Sequence, residues 1–232
     1  MRILPADPVP AVNLAQRITG LQTRIQRACE AAGRECTDIE LLPVSKKQPL
    51  VLIQEAVTLG FKRFGENYVQ EGSDKAKAAP ALEFVLLGPL QRNKAKAALQ
   101  AFSEIQSLDR PELAERLRRL AEELDVVRPV WIQLDLWGEA TKQGGCTEAD
   151  LPALLTALGG DPRLPLRGLM AIPPPEDQRA FAQLAVLRDR LQQSLGQPLR
   201  LSMGMSGDLE AAIAAGSDQI RIGTAFFGER SY

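Results

Sequence analysis

Apolar residues along this chain alternate between two spacings. Val12, Leu14, Ile18, Leu21, Ile25 and Ala28 recur at helical spacing, three or four apart from Leu14 on, and Gly33 supplies a stop. Beyond residue 38 short apolar runs alternate with stretches of helical period. The runs at 39–45, 61–64, 82–87, 104–107, 128–136, 166–172, 199–201 and 219–222 read as strands. Helical patterns follow at 50–59, 68–79, 90–101, 110–124, 148–158, 177–195 and 207–215, and the last segment, after Ile222, is very short. Strands that alternate with helices favour an α/β architecture with a parallel sheet. The count of eight favours a single closed (β/α)8 barrel of the TIM type, with an extra N-terminal helix, over an open doubly wound sheet. No repeat, linker or domain boundary interrupts the rhythm, so residues 1–232 read as one domain with a flexible leader at 1–11.

Composition narrows the chemistry. Charged residues are 25% of the chain and leave a net charge of -1, which favours neither nucleic acid nor a membrane surface. Pro5, Asp7, Pro8 and Pro10 interrupt the place where a signal peptide needs an apolar core, and no later run reaches the length of a membrane span. Cys29, Cys36 and Cys146 show no close pairing and read as reduced thiols, so a cytoplasmic protein is expected. Histidine is absent, which excludes Ser-His triads and histidine-bound zinc. No Gly-x-Gly-x-x-Gly follows the first strand, which argues against a dinucleotide domain.

The first strand, Leu41-Leu42-Pro43-Val44-Ser45-Lys46-Lys47, runs straight from apolar residues into two lysines. A lysine at a strand end points to solvent or is kept inside for its chemistry. Leu42, Val44 and Lys46 share one face and Leu41, Pro43, Ser45 and Lys47 the other, without showing which face is inward. In a barrel, function collects at the C-terminal strand ends, and a phosphate site is often built after strands seven and eight. There the chain carries Ser202-Met203-Gly204-Met205-Ser206-Gly207 and Arg221-Ile222-Gly223-Thr224, small residues that let backbone N–H groups approach an anion. Ser206 could also cap the helix beginning near Asp208. Alternation places Gln219, Arg221 and Gly223 opposite Ile220 and Ile222, so Arg221 faces the barrel interior, where a structural carboxylate or a ligand could accept from it. A lysine, a phosphate cradle and an inward guanidinium fit an aldehyde-bearing phosphate cofactor held as a Schiff base, as pyridoxal 5'-phosphate (PLP) is.

At these residues the chain resembles the pyridoxal phosphate homeostasis protein family, which shares the alanine-racemase-like barrel. The motifs are Val44-Ser45-Lys46, the run Phe64-Gly65-Glu66-Asn67-Tyr68-Val69-Gln70-Glu71, Gly88-Pro89-Leu90-Gln91-Arg92-Asn93-Lys94, Gly138-Glu139 with Lys142, Gly168-Leu169-Met170, Leu201 to Ser206, and Arg221 to Ala225. The resemblance implies that Lys46 carries the Schiff base, that Ser206, Gly223 and Thr224 hold the phosphate, that Arg221 faces the pyridine nitrogen, and that Asn67 and Met203 border the ring. It implies a monomeric carrier that buffers or delivers PLP to PLP-dependent apo-enzymes in vitamin B6 and amino-acid homeostasis. Val85 and Gln106 stand where the family often has histidine. An arginine at the pyridine nitrogen donates a hydrogen bond but no proton, which leaves the ring a weak electron sink. The competing reading is a fold-type III amino-acid racemase using Lys46 as base, and a third is a phosphate-ligand sensor for a protein partner. Tyr68 falls in a helical pattern and reads as packing, and Arg92, Lys94 and Lys96 read as a solvated helix face. The loop with Gly138, Glu139 and Lys142 either gates the barrel mouth or covers its rim.

Overall fold

The computed structural model describes residues 13–136, 144–173 and 179–228. Eight strands form one parallel sheet: β1 (Glu40–Pro43), β2 (Arg63–Glu66), β3 (Glu83–Leu86), β4 (Glu104–Leu108), β5 (Val130–Leu134), β6 (Leu166–Ala171), β7 (Arg200–Ser202) and β8 (Gln219–Ile222). Their order is β1-β8-β7-β6-β5-β4-β3-β2. The ends of this sheet meet at one bridge, Val44 with Gly65, where the Ser45 N–H donates to the Gly65 carbonyl at 2.8 Å. The result is a nearly closed barrel. Around it lie α1 (Leu14–Ala32), α2 (Leu50–Thr58), α3 (Val69–Ala78), α4 (Ala95–Ala101), α5 (Pro111–Leu124), α6 (Leu151–Leu158), α7 (Arg179–Leu195), α8 (Leu209–Ala214) and α9 (Thr224–Phe227).

The extra helix α1 has a structural task. Asn13 and Gln16 cap it reciprocally, and Gly33 ends it at φ 64°, a left-handed conformation that suits glycine. Its buried stripe of Leu14, Ile18, Leu21 and Ile25 packs on α8 and α9. With only four residues, α9 is too short to cover β8 and β1, and α1 supplies the missing layer. Arg34 fastens its end by donating to the carbonyls of Ile213 at 3.1 Å and Ser217 at 2.5 Å.

Residues of the barrel wall divide into two sets. Ile105, Ile132, Leu169, Leu201, Ile220 and Ile222 point outward and join the main core beneath the helices. Leu42, Val44, Val85 and Leu87 form a separate apolar cluster, which is the barrel interior. That cluster decides the parity of the first strand: Leu42 and Val44 lie on its inner face, and Lys46 stands in the turn just beyond them. Gly65 is inward too, since a Cβ there would stand 2.5 Å from Leu87 and 3.5 Å from Leu42. Below this layer the interior is polar. At the N-terminal mouth Arg63 pairs with Glu40 at 2.5 Å and with Glu104 at 2.7 Å. Gln106 donates from Nε2 to Glu104 at 2.6 Å and to Gln219 at 2.7 Å, and Ser202 Oγ lies 2.8 Å from both glutamine oxygens. A hydrogen-bonded file therefore fills the barrel where apolar side chains usually stack.

Some expected boundaries change. The second strand, expected at 61–64, lies at Arg63–Glu66: Phe61 leaves the ladder to pack edge-on against Phe226 at 4.9 Å, while Gly65 and Glu66 pair with Val85 and Leu86. The helices expected at 90–101 and 148–158 each begin with a single 3-10 turn, Arg92–Lys94 and Glu148–Asp150.

Gly72 lets α3 approach the end of α4, because a Cβ there would stand 2.2 Å from the fully buried Phe102 ring. Gly72→Ala is expected to lower unfolding stability by about 1–3 kcal/mol through overpacking, measured by chemical denaturation. A neutral result would show that the α3–α4 contact is loosely packed.

Candidate functional site

At the C-terminal mouth, Lys46 sits in a tight turn that begins as β1 ends, where the Gln48 N–H donates to the Ser45 carbonyl at 3.0 Å. Lys47, the third residue of the turn, has φ 59°, a conformation that residues other than glycine rarely adopt. The turn is tied down from outside the barrel. Ser45 Oγ donates to Glu66 Oε1 at 2.7 Å, Lys75 Nζ donates to the Ser45 carbonyl at 2.7 Å, and the Lys47 N–H donates to Glu71 Oε1 at 2.6 Å. Lys75 also bonds Glu66 at 2.7 Å and Glu71 at 2.8 Å, which engages all three ammonium hydrogens. Glu66 is wholly buried, and burial pushes its carboxyl above the ordinary range against the bonds from Lys75 and Ser45.

Strand β8 lies directly beside β1, with Leu42 opposite Arg221 and the Val44 N–H donating to the Ile222 carbonyl at 2.8 Å. Lys46 and the Gly223-Thr224 pair thus leave adjoining strand ends. Arg221 faces the interior, donating from Nη1 to Ser202 Oγ at 2.8 Å and from Nη2 to the Ala171 carbonyl at 2.7 Å. Both acceptors are neutral, and among the described residues no carboxylate pairs with this guanidinium. Burial pushes it down to about 10, so it remains a cation at neutral pH. The loop after β7 is joined to β8 by the Arg221 N–H, which donates to the Gly204 carbonyl at 2.9 Å. Among the described residues, the N–H groups of Ser206, Gly207, Gly223 and Thr224 have no acceptor.

Lys46, Ser206, Arg221, Gly223 and Thr224 thus gather at one end of β1, β7 and β8. Asn67 shares the inward parity of Gly65, and its carbonyl lies against Gly88, where a Cβ would stand only 2.0 Å away. Met203 departs from the expectation: Ser202 points inward, so the next side chain points outward, and Met203 is fully buried in the core beneath the helices. Only its backbone belongs to the mouth. Ser206 does not cap α8, whose N-cap is Asp208; Asp208 instead accepts from the Met205 N–H at 2.5 Å. Tyr68 is the N-cap of α3 and 51% exposed, so it is not a packing residue. Arg92, Lys94 and Lys96 are exposed as expected. The loop with Gly138, Glu139 and Lys142 lies outside the described residues, as does the 1–11 leader. Lys75 and the inward Ser202 are participants that were not singled out from sequence. Lys75 carried no signal beyond a helical charge, whereas the parity of Ser202 was readable.

The model of the alanine racemase N-terminal domain matches residues 20–231. The pyridoxal phosphate homeostasis protein of Pseudomonas aeruginosa is 43% identical, aligned over 95% of this chain and 97% of its own length. The chain belongs to this family. The Escherichia coli K12 homeostasis protein is 41% identical over 95% of this chain and 98% of its own. Among solved structures, PipY of Synechococcus elongatus in a form with PLP bound is 38% identical, with a TM-score of 0.81, covering 93% of this chain and 100% of that one. An alanine racemase of Clostridium difficile, at 12% identity and a TM-score of 0.69, shares the fold alone, covering 91% of this chain and 57% of its own. In this family member, Val85 and Gln106 occupy two positions where histidine was noted as common. Val85 fills the interior apolar cluster, and Gln106 is central to the polar file.

The loop after β7 is also held from α1. Arg24 forms a two-pronged pair with Glu210, 2.6 Å at Nη2, and donates to the Ser206 carbonyl at 2.7 Å. The Arg24 hydrogen bond holds the Glu210 carboxyl below its ordinary 4.5, so the pair stabilises the fold above that pH and the contribution fades as pH falls through the depressed value. Both side chains are well exposed, which limits the effect to under about 1 kcal/mol. Thermal melts should place wild type slightly above Glu210→Gln at pH 7, with the gap closing below pH 4.5. A gap that widens in acid would contradict this assignment.

Proposed function

We propose that this chain binds pyridoxal 5'-phosphate at the C-terminal mouth of the barrel and serves as a carrier in vitamin B6 and amino-acid homeostasis, without robust turnover. One observation carries the reading. β1 and β8 are paired, which puts the Lys46 turn and the Gly223-Thr224 N–H groups at adjoining strand ends, next to the buried Arg221, whose hydrogen-bond acceptors are neutral. A buried guanidinium that touches no carboxylate, and feels Asp208 only through space, favours an acceptor supplied from outside the fold. The relatives' role in PLP homeostasis and the PLP-bound PipY structure support the same assignment.

The residues fit the group. Ser206, Gly223 and Thr224 would receive the phosphate on backbone N–H groups, and Asn67 would border the ring, with Met203 contributing through its backbone. When bound, the cofactor would supply an aldehyde, and Lys46 would be the residue that holds it through its amine. Arg221 would donate to the pyridine nitrogen while keeping its own proton, which holds the ring in a form suited to binding rather than to drawing electrons from an amino acid. The racemase alternative rests on fold likeness, which does not carry function. The recipients are PLP-dependent apo-enzymes, and the carrier acts as a cytoplasmic monomer.

Mixing the protein with PLP should produce a visible absorbance band that borohydride bleaches, present in wild type and missing in Lys46→Ala. Pyridoxal without the phosphate should bind roughly 10–100-fold more weakly, the worth of the lost charge-assisted hydrogen bonds. No band in either protein would refute the proposal, and steady amino-acid turnover that depends on Lys46 would replace it with the enzyme.

A further inference from the structure

The turn that presents Lys46 does not sit in a conformation its own sequence prefers. Position three of such a turn, at φ 59°, suits glycine or asparagine, and here it is Lys47. What holds the turn comes from α3 and β2. Glu71 accepts from the Lys47 N–H at 2.6 Å, and Lys75 donates to the Ser45 carbonyl at 2.7 Å. One carboxylate and one ammonium therefore grip the backbone on either side of Lys46. These two groups also bond each other at 2.8 Å, and Lys75 is anchored to the buried Glu66 at 2.7 Å, which also receives Ser45 Oγ. None of these groups needs to touch a ligand in the barrel: Glu66 alternates with the inward Gly65, and the grip on Ser45 and Lys47 comes from α3 and that outer face of β2.

We propose that Glu71 and Lys75, backed by Glu66, are positioning residues for Lys46, holding its turn in the strained conformation that aims the amine into the barrel. The proposal rests on the PLP reading above and deepens it: it assigns the retention time of the cofactor to a cluster outside the pocket. Loss of the grip would let Lys47 relax toward ordinary backbone angles and swing Lys46 away from the position at which its amine meets the aldehyde.

Glu71→Ala is the informative variant, because Glu71 is partly exposed and its loss leaves the buried Lys75–Glu66 pair intact. Asp74→Ala is the control. Asp74 is exposed on the same helix and, among the described residues, its side chain accepts from Gln70 alone, at 3.1 Å. Two readouts are needed. The first is backbone amide exchange at Lys46 and Lys47 in protein without added cofactor, expected about tenfold faster in Glu71→Ala, the equivalent of one charge-assisted hydrogen bond. The second is release of bound PLP, followed by decay of the visible band in the presence of an excess aldehyde trap, also expected about tenfold faster. Glu71→Gln, which restores an acceptor for the Lys47 N–H, should recover most of the retention, and Asp74→Ala should match wild type in both.

Release unchanged in Glu71→Ala would overturn the positioning role, as would equal acceleration in Asp74→Ala. A wild-type protein that forms no borohydride-sensitive band would overturn the PLP reading instead. Unchanged exchange at Lys46 and Lys47 in Glu71→Ala would overturn the proposal whether or not the band forms.

Discussion

The pairing of the first strand with the last is the constraint on which the molecule depends. Leu42 stands opposite Arg221, and the Val44 N–H reaches the Ile222 carbonyl. That register sets Val44 and Ser45 level with Gly223 and Thr224, so the turn carrying Lys46 leaves the barrel beside them, and a slip of one residue would carry the strand's inward set to the outer face. Much of the surrounding structure serves to keep it. The helix α1 covers the outside of β8, where α9 is too short, and Arg24 and Arg34 fasten that helix to the loops around β7 and β8.

Inside the barrel, apolar and polar layers divide the work. Leu42, Val44, Val85 and Leu87 pack one side just beneath the lysine turn, while Gln106, Gln219 and Ser202 link the acidic groups of the N-terminal mouth to Arg221. A buried guanidinium is costly unless its donors are met, and the file meets some of them without neutralising the charge. Arg221 thus stays a cation in a low-dielectric setting, where its pull on an acceptor is strongest.

Much of this could be read from the chain. Gln219 and Arg221 were placed inward correctly because Ile220 and Ile222 alternate with them, leaving only one way for the strand to face. The first strand gave no such answer, since Leu41 and Pro43 are as apolar as Leu42 and Val44, and only the contact of Leu42 with the interior cluster decides it. The second strand begins two residues later than its pattern predicts, because Phe61 has the preferences of a strand residue and Gly65-Glu66 does not; sheet pairing overrides both. Met203 is a parity that could have been worked out from its neighbour Ser202. Lys75 could not have been found, because a lysine in a charged helix looks solvated until a glutamate from another strand meets it in the fold.

The seam between β1 and β2, neighbours in sequence, is held by one bridge, while β1 makes its full ladder with a strand about 180 residues further along. During synthesis the first strand therefore waits for almost the whole chain before it finds its partner, a pairing of very high contact order. Until then Lys46 is one lysine among many on an open chain, with no strand end beside it. The C-terminal mouth comes into being only when the barrel closes, so a stalled chain lacks the whole rim on which β1, β7 and β8 converge.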